Sequence, residues 1–459
     1  MARGSGDVSL VPEIPAPEIP PGDLVTESLQ ARIDEAAARG GGRVTVGPGV
    51  HRTGSLRLRS HVELHVEAGA VLQFVPDPAL YPPVEARWEG APATIHQPCL
   101  YAHDAEHVAI TGDGVIDGGG GPWWEAFRAG TLAHPRPTLV GLHRCTHVRL
   151  RDVTLRSSPA WTVHPLLCDD VAVRDVTIVN PPDSPNTDGI DPESCRNVRI
   201  SGCHIDVGDD CIALKAGTEA SPERVACENV VVTGCTLVHG HGGVVLGSEM
   251  SGGIRNVVVA DCVFQGTDRG IRLKARRGRG GVVEDVRVSN VVMDDVGCPL
   301  VLNQHYDRGP GGDSPHVGDR GALPVDATTP LFRRITVAHV SARNVRAAAV
   351  FALGLAEQPV AELVLDDVAV SFAPDPEPFE PAMAAGVGPT TRRGVVLDGC
   401  DTVTLRGVHL EGVQGPGLVA DRVARLTVTH STVDGRPLTA DAPVSRVVRR
   451  KQGFRPVTP

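Results

Sequence analysis

The chain has 459 residues, a formal net charge of −11, 41% apolar residues and only 3% aromatic ones. That acidic balance argues against nucleic acid or an acidic membrane surface as a partner. With so few rings the core must be built from Val, Ile, Leu and Ala, and 52 Gly and 38 Pro point to many turns and few long helices.

Residues 1–23 are Pro-rich and read as an irregular arm. They hold no apolar run of the signal-peptide kind, and no later segment could span a membrane. The expected location is therefore the cytoplasm, or outside the cell if a leader was removed. From Thr26 to residue 39 the spacing predicts a helix. Leu29, Ile33, Ala36 and Ala37 recur at helical intervals, Thr26 can cap, and Gly40, Gly41 and Gly42 stop the run. A short amphipathic helix here would cover the open end of a repeat array.

Alternating apolar and polar residues then mark strands at 43–46, 54–58 and 61–66. Residues 76–98 break the pattern and read as an inserted loop, and Trp123 and Trp124 follow a Gly-rich turn. From residue 145 an internal repeat is plain. Copies open at Cys145, Cys168, Cys195, Cys227, Ile254 and Val283, with weaker ones at Phe332, Val360, Cys400 and Val423. Many spacings are 23 to 32 residues, and no copy holds a long helical stretch. A stack of short strands and turns fits this pattern and a leucine-rich repeat does not. Asn197, Asn229 and Asn256 fall at one repeat position and read as a structural amide ladder at a corner.

The 11 cysteines show no paired metal-ligand spacing and read as small buried apolar groups. Long loops are expected after residues 283 and 360, where the spacing stretches to 49 and 40 residues. The stretch 444–459 is a basic tail with Arg446, Arg449, Arg450, Lys451 and Arg455.

Polar motifs recur at coil spacing within the array. Asn186-Thr187-Asp188 is followed by Gly208-Asp209-Asp210, then Gly240-His241-Gly242, Arg272-Leu273-Lys274 and Tyr306. Asp188 to Asp210 is 22 residues, and the next two intervals, to His241 and to Arg272, are 31 each. Each motif alone is weak, since a Gly-Asp-Asp is more often a turn. At these intervals a solenoid collects them on one face. Carboxylates on coils roughly 4.8 Å apart cannot all ionise comfortably, so one is pushed toward its acid form. That supplies an acid and a base. The alternative is a Ca²⁺ site of clustered carboxylates, disfavoured by the neighbouring Arg, Lys and His. No metal and no cofactor is expected. Arg272 and Lys274 alternate along one strand and face the same way. The run Arg269, Arg272, Lys274, Arg276, Arg277 and Arg279 suggests an anionic ligand.

At these five motifs the sequence resembles family 28 of the glycoside hydrolases, the polygalacturonases, over roughly residues 24–435. The resemblance implies an all-β fold, a single-stranded right-handed parallel β-helix of about ten coils or more, with the catalytic domain at 24–443. It implies cleavage of α-1,4-galacturonide linkages in polygalacturonate or its oligomers, with inversion. Asp209 would be the general acid, Asp188 and Asp210 would hold and deprotonate the water, and His241 would tune the acid by hydrogen bonding. Arg272 and Lys274 would take a galacturonate carboxylate, with Asn186 and Tyr306 also at the substrate. Trp161 and His164, one coil earlier, are further candidates for substrate contact, Trp161 by stacking on a sugar. The partner expected is thus an anionic oligo- or polysaccharide, with exo action favoured and oligomeric state open. The competing readings are a β-helix lyase, a hydrolase of substituted pectin, and a non-enzymatic carbohydrate-binding solenoid.

Overall fold

The computed structural model describes residues 24–439. The arm at 1–23 and the basic tail at 444–459 lie outside them. The described chain winds as a right-handed parallel β-helix dominated by one 28-stranded sheet. Each coil adds a strand in parallel to the coil before. Val148 pairs with Val171, then Val198, Val230, Val257, Val286 and Ile335 in unbroken register. All of these side chains are fully buried. Stacking like on like fills the interior with β-branched residues, each contributing about 1.5–3 kcal/mol of burial.

Helix α1 spans Thr26–Ala38 and lays Leu29 and Ile33 on the first coil. Thr26 does not cap it: its hydroxyl meets Thr53 Oγ1 at 3.2 Å and accepts the Gly54 amide at 2.7 Å, tying the helix start to the sheet. A second helix, α2 at Gly121–Arg128, follows the Gly-rich turn and buries Trp123 against Tyr81 and His96. The stretch read as an inserted loop is a hairpin, Pro83–Trp88 against Ala91–His96.

The cysteines are all free and buried, as expected from their repeat position. The asparagine ladder is present at an exposed corner. Asn256 Nδ2 donates to Asn229 Oδ1 at 3.0 Å and Asn229 Nδ2 to Asn197 Oδ1 at 3.2 Å. All three sit at φ of 56–59°, the left-handed region that Asn tolerates better than most residues.

Candidate active site

One face of the β-helix gathers the polar motifs. On it Val163 pairs with Ile190, then Ile212, Val244, Ile271 and Leu300. These apolar residues point into the core, so the residues beside them project outward over several successive coils. The Asp188 carbonyl accepts the Thr162 amide at 2.8 Å, and the Asp210 carbonyl accepts the Gly189 amide at 3.0 Å. Asp188 and Asp210 are thereby stacked one coil apart. Gly242 occupies the next coil. A Cβ there would lie 2.4 Å from Val245 Cγ2 and 3.1 Å from Asp210 Oδ1, so glycine leaves the space that the carboxylate fills.

Asp188, Asp209 and Asp210 each bring an oxygen within 4.8 Å of the others. That spacing would also suit a cation, but here ammonium and guanidinium groups supply the positive charge. Lys274 Nζ donates to Asp210 Oδ2 at 2.8 Å and Arg272 Nη1 to Asp210 Oδ1 at 3.4 Å. Burial alone would raise the Asp210 carboxyl; the two cations outweigh it and hold it well below the usual range. Asp188 goes the other way. Burial, then Asp191 and Asp209 beside it, push it well above the ordinary carboxyl range. Asp191 is pushed up to about 8 by burial, against the pull of Lys215. Neighbouring carboxyls driven apart in this way are what acid–base chemistry needs.

The expected substrate residues divide. Lys274 and Tyr306 line the cavity in front of the carboxylates, and Asn186 lines it with its Oδ1 held by Arg136 Nη2 at 2.7 Å. Arg272 stands behind, between Asp210 and the Tyr306 ring, whose centroid is 5.6 Å away. His241 does not line the cavity, and its ring makes no hydrogen bond to an acid among the described residues. It is held by its backbone amide on the Asp209 carbonyl at 3.1 Å, while Asp209 Oδ1 takes the Asp210 amide at 2.9 Å. Trp161 lines the cavity but is 3% exposed, with Trp88 stacked on it at 4.8 Å and Lys215 Nζ 4.6 Å from its ring centre. Its faces are not free for a sugar. His164 is fully buried behind it and bonds Glu193 Oε2 at 3.1 Å, so it is a support and does not reach the cavity.

The cationic run is also divided. Arg269 donates to the carbonyls of Glu380 and Pro381, and Arg277 pairs with Glu357 and with carbonyls of residues 316–321. Arg276 holds the Pro310 carbonyl at 2.8 Å and, with Arg279, pairs with Glu219. Three of these arginines therefore fasten loops, and Arg279 alone of the four reaches the cavity.

Lys215, Asp191 and Glu89 are among the cavity or near-cavity groups that escaped the sequence reading, as are Glu249 and Arg308. Lys215 is buried among Asp188, Asp191 and Glu249 at 3.6–3.8 Å. Asp191 was visible in the Asn186–Asp191 stretch, and Lys215 lies in register with Glu193. Glu89 comes from the hairpin turn, which carries no motif.

A model of the glycosyl hydrolases family 28 matches residues 84–377. This chain is a member of that family. A probable polygalacturonase of Vitis vinifera is 33% identical over 362 residues, 76% of this chain and 72% of that protein. An endo-polygalacturonase of Pectobacterium carotovorum subsp. carotovorum is 32% identical over 288 residues, 59% of this chain and 69% of that one. The crystal structure of a hyperthermoactive exopolygalacturonase from Thermotoga maritima superposes with a TM-score of 0.67 at 32% identity, covering 76% of this chain and 83% of that chain. The family 28 glycosyl hydrolase described here is thus a glycosidase, which sets hydrolysis above the eliminative and purely binding alternatives.

Proposed function

We propose that this glycosidase hydrolyses α-1,4-galacturonide linkages of polygalacturonate-derived chains, acting from a chain end. The observation that carries the reading is the carboxylate cluster set among Lys274, Lys215 and Arg279 in a small cavity. The cavity is about 200 Å³, below the ~300–1,000 Å³ that encloses a drug-sized ligand, and suits one sugar ring. The hairpin contributes Glu89 to its wall, and the loop after Asn303 contributes Tyr306, Arg308 and Pro310. A walled pocket favours release of terminal units over internal cutting. The polygalacturonases among the relatives support the substrate class, and both exo- and endo-acting ones occur among them.

In this reading Asp209, by family resemblance, protonates the leaving oxygen. Asp210, held as an anion by Lys274 and Arg272, takes the proton of the attacking water, and Asp188 positions that water. Inversion rests on the same resemblance, because oxygens within 4.8 Å are closer than the ~6.5–9.5 Å usual for an intervening water. Proton NMR of the first-formed anomer tests it.

The deciding experiment is chromatography of products from polygalacturonate and short oligogalacturonides, with viscosity followed alongside. Release of terminal units with a slow viscosity fall is expected. An early steep fall with few new ends means internal cutting, and no galacturonide cleavage at all removes the substrate assignment.

A further inference from the structure

The hairpin turn over the cavity holds one side chain that the fold does not use. Glu89 has a φ of 48° and Gly90 a φ of 74°. A two-residue turn with both residues in this region is best served by Asn, Asp or Gly, so a glutamate here carries backbone strain. Its neighbours are all fastened. Arg87 Nη1 pairs with Glu193 Oε1 and donates to Ser194 Oγ, both at 3.2 Å. Trp88 lies on Trp161. The Gly90 carbonyl accepts from the Thr218 amide at 3.2 Å, the Thr218 hydroxyl at 3.1 Å and the Ser221 hydroxyl at 2.5 Å. A Cβ on Gly90 would come within 2.7 Å of Thr218 Cγ2 and 2.9 Å of Glu249 Cγ. The turn is therefore seated without slack.

Glu89 itself makes no side-chain hydrogen bond or ion pair among the described residues. It is half-buried and lines the same cavity as Asp188, Asp209 and Lys215. Burial, and then Glu249, push its carboxyl upward. A strained, half-buried carboxyl on fixed flanks, with no protein partner, keeps its acceptor oxygens for whatever enters the cavity.

We propose that Glu89 reads the chain end, by hydrogen-bonding the 4-hydroxyl of the terminal, non-reducing sugar. This rests on the galacturonide and chain-end reading above. In a one-ring cavity the anomeric carbon must lie at the catalytic carboxylates, so O4 is directed away from them. In a 1,4-linked chain O4 is bonded to the next sugar everywhere except at the non-reducing end, where it is a free hydroxyl. A carboxyl oxygen accepts from that hydroxyl, and a further unit bonded at O4 removes that donor. A site that pairs a substrate hydroxyl rejects analogues lacking it, because its own polar group is then left bare.

The test uses the full chain and two trisaccharides: saturated trigalacturonate, and its counterpart with a 4,5-unsaturated non-reducing end made by a lyase, which has no 4-hydroxyl. Wild type is expected to prefer the saturated end by about 10–10²-fold in kcat/KM. In Glu89→Ala the ratio falls toward one, mainly through loss on the saturated substrate. Glu89→Gln, which keeps an acceptor oxygen, retains part of it. Thermal melts confirm that the variants fold. No preference in wild type, or equal loss on both substrates in Glu89→Ala, overturns the assignment. Failure of the chain-end reading shows separately, as internal cleavage of polygalacturonate by wild type.

Discussion

Lys274 is paired with Asp210, 2.8 Å from Nζ to Oδ2, with both groups buried. The lysine expected to bind a substrate carboxylate therefore already holds one of the clustered carboxylates. Removing it leaves the buried carboxylate with Arg272 as its remaining ion-pair partner and Lys215 acting from farther off. Lys274→Ala is expected to lower kcat as well as raise KM, by at least ~10-fold in kcat/KM. The sign of the pH effect follows from Asp210, whose folded value is depressed by its cations. Losing one raises it, so the acidic limb of the rate profile moves to higher pH. A pure KM effect with an unmoved limb would show that Lys274 serves only the substrate.

Gly242 offers a test of space without charge. Its Cβ would meet Val245 and Asp210 Oδ1, and no left-handed φ bars alanine there. Gly242→Ala is expected to cost roughly 10–10²-fold in rate through a shifted Asp210, and to lower the melting temperature by crowding the buried Val245 side chain. Full activity would mean that the cluster tolerates displacement.

The coil repeat and the stacked carboxylates were legible because both follow from spacing: one repeat length brings Asp188 and Asp210 to one face whatever the loops do. What each charge pairs with was not legible. Arg269 ends on the Glu380 carbonyl, 111 residues away in the chain, and no local pattern announces that. Trp161 was recognised as near the site, but whether its ring was open depended on Trp88, from a hairpin that interrupts the repeat. Glu89 was missed for the same reason.

Asn229 tests the corner ladder. Its φ of 58° suits Asn and Gly, and its amide both donates to Asn197 and accepts from Asn256. Asn229→Ala is expected to destabilise by about 1–2 kcal/mol, from left-handed strain plus the broken ladder. Asn229→Gly removes the strain term and should cost less. Denaturant melts that rank alanine above glycine would place the stabilisation elsewhere.

Asp191 gives the clearest dependence on pH. It is fully buried, its Oδ1 is 3.8 Å from Lys215 Nζ, and burial lifts its carboxyl to about 8. In the unfolded chain an aspartate titrates near ~3.9. Between these values the folded protein keeps a proton that the unfolded chain releases, so this group lowers stability as pH rises from about 4 to 8. Asparagine has the same shape and no charge to bury, and Lys215 keeps Asp188 and Glu249 as partners. Asp191→Asn should therefore stabilise the fold by on the order of 1–3 kcal/mol at pH 8, with a smaller gain at pH 5. Urea melts of both proteins at the two pH values decide it. A variant less stable than wild type at pH 8 would show that Asp191 is ionised and that its pairing with Lys215 outweighs the burial of its charge.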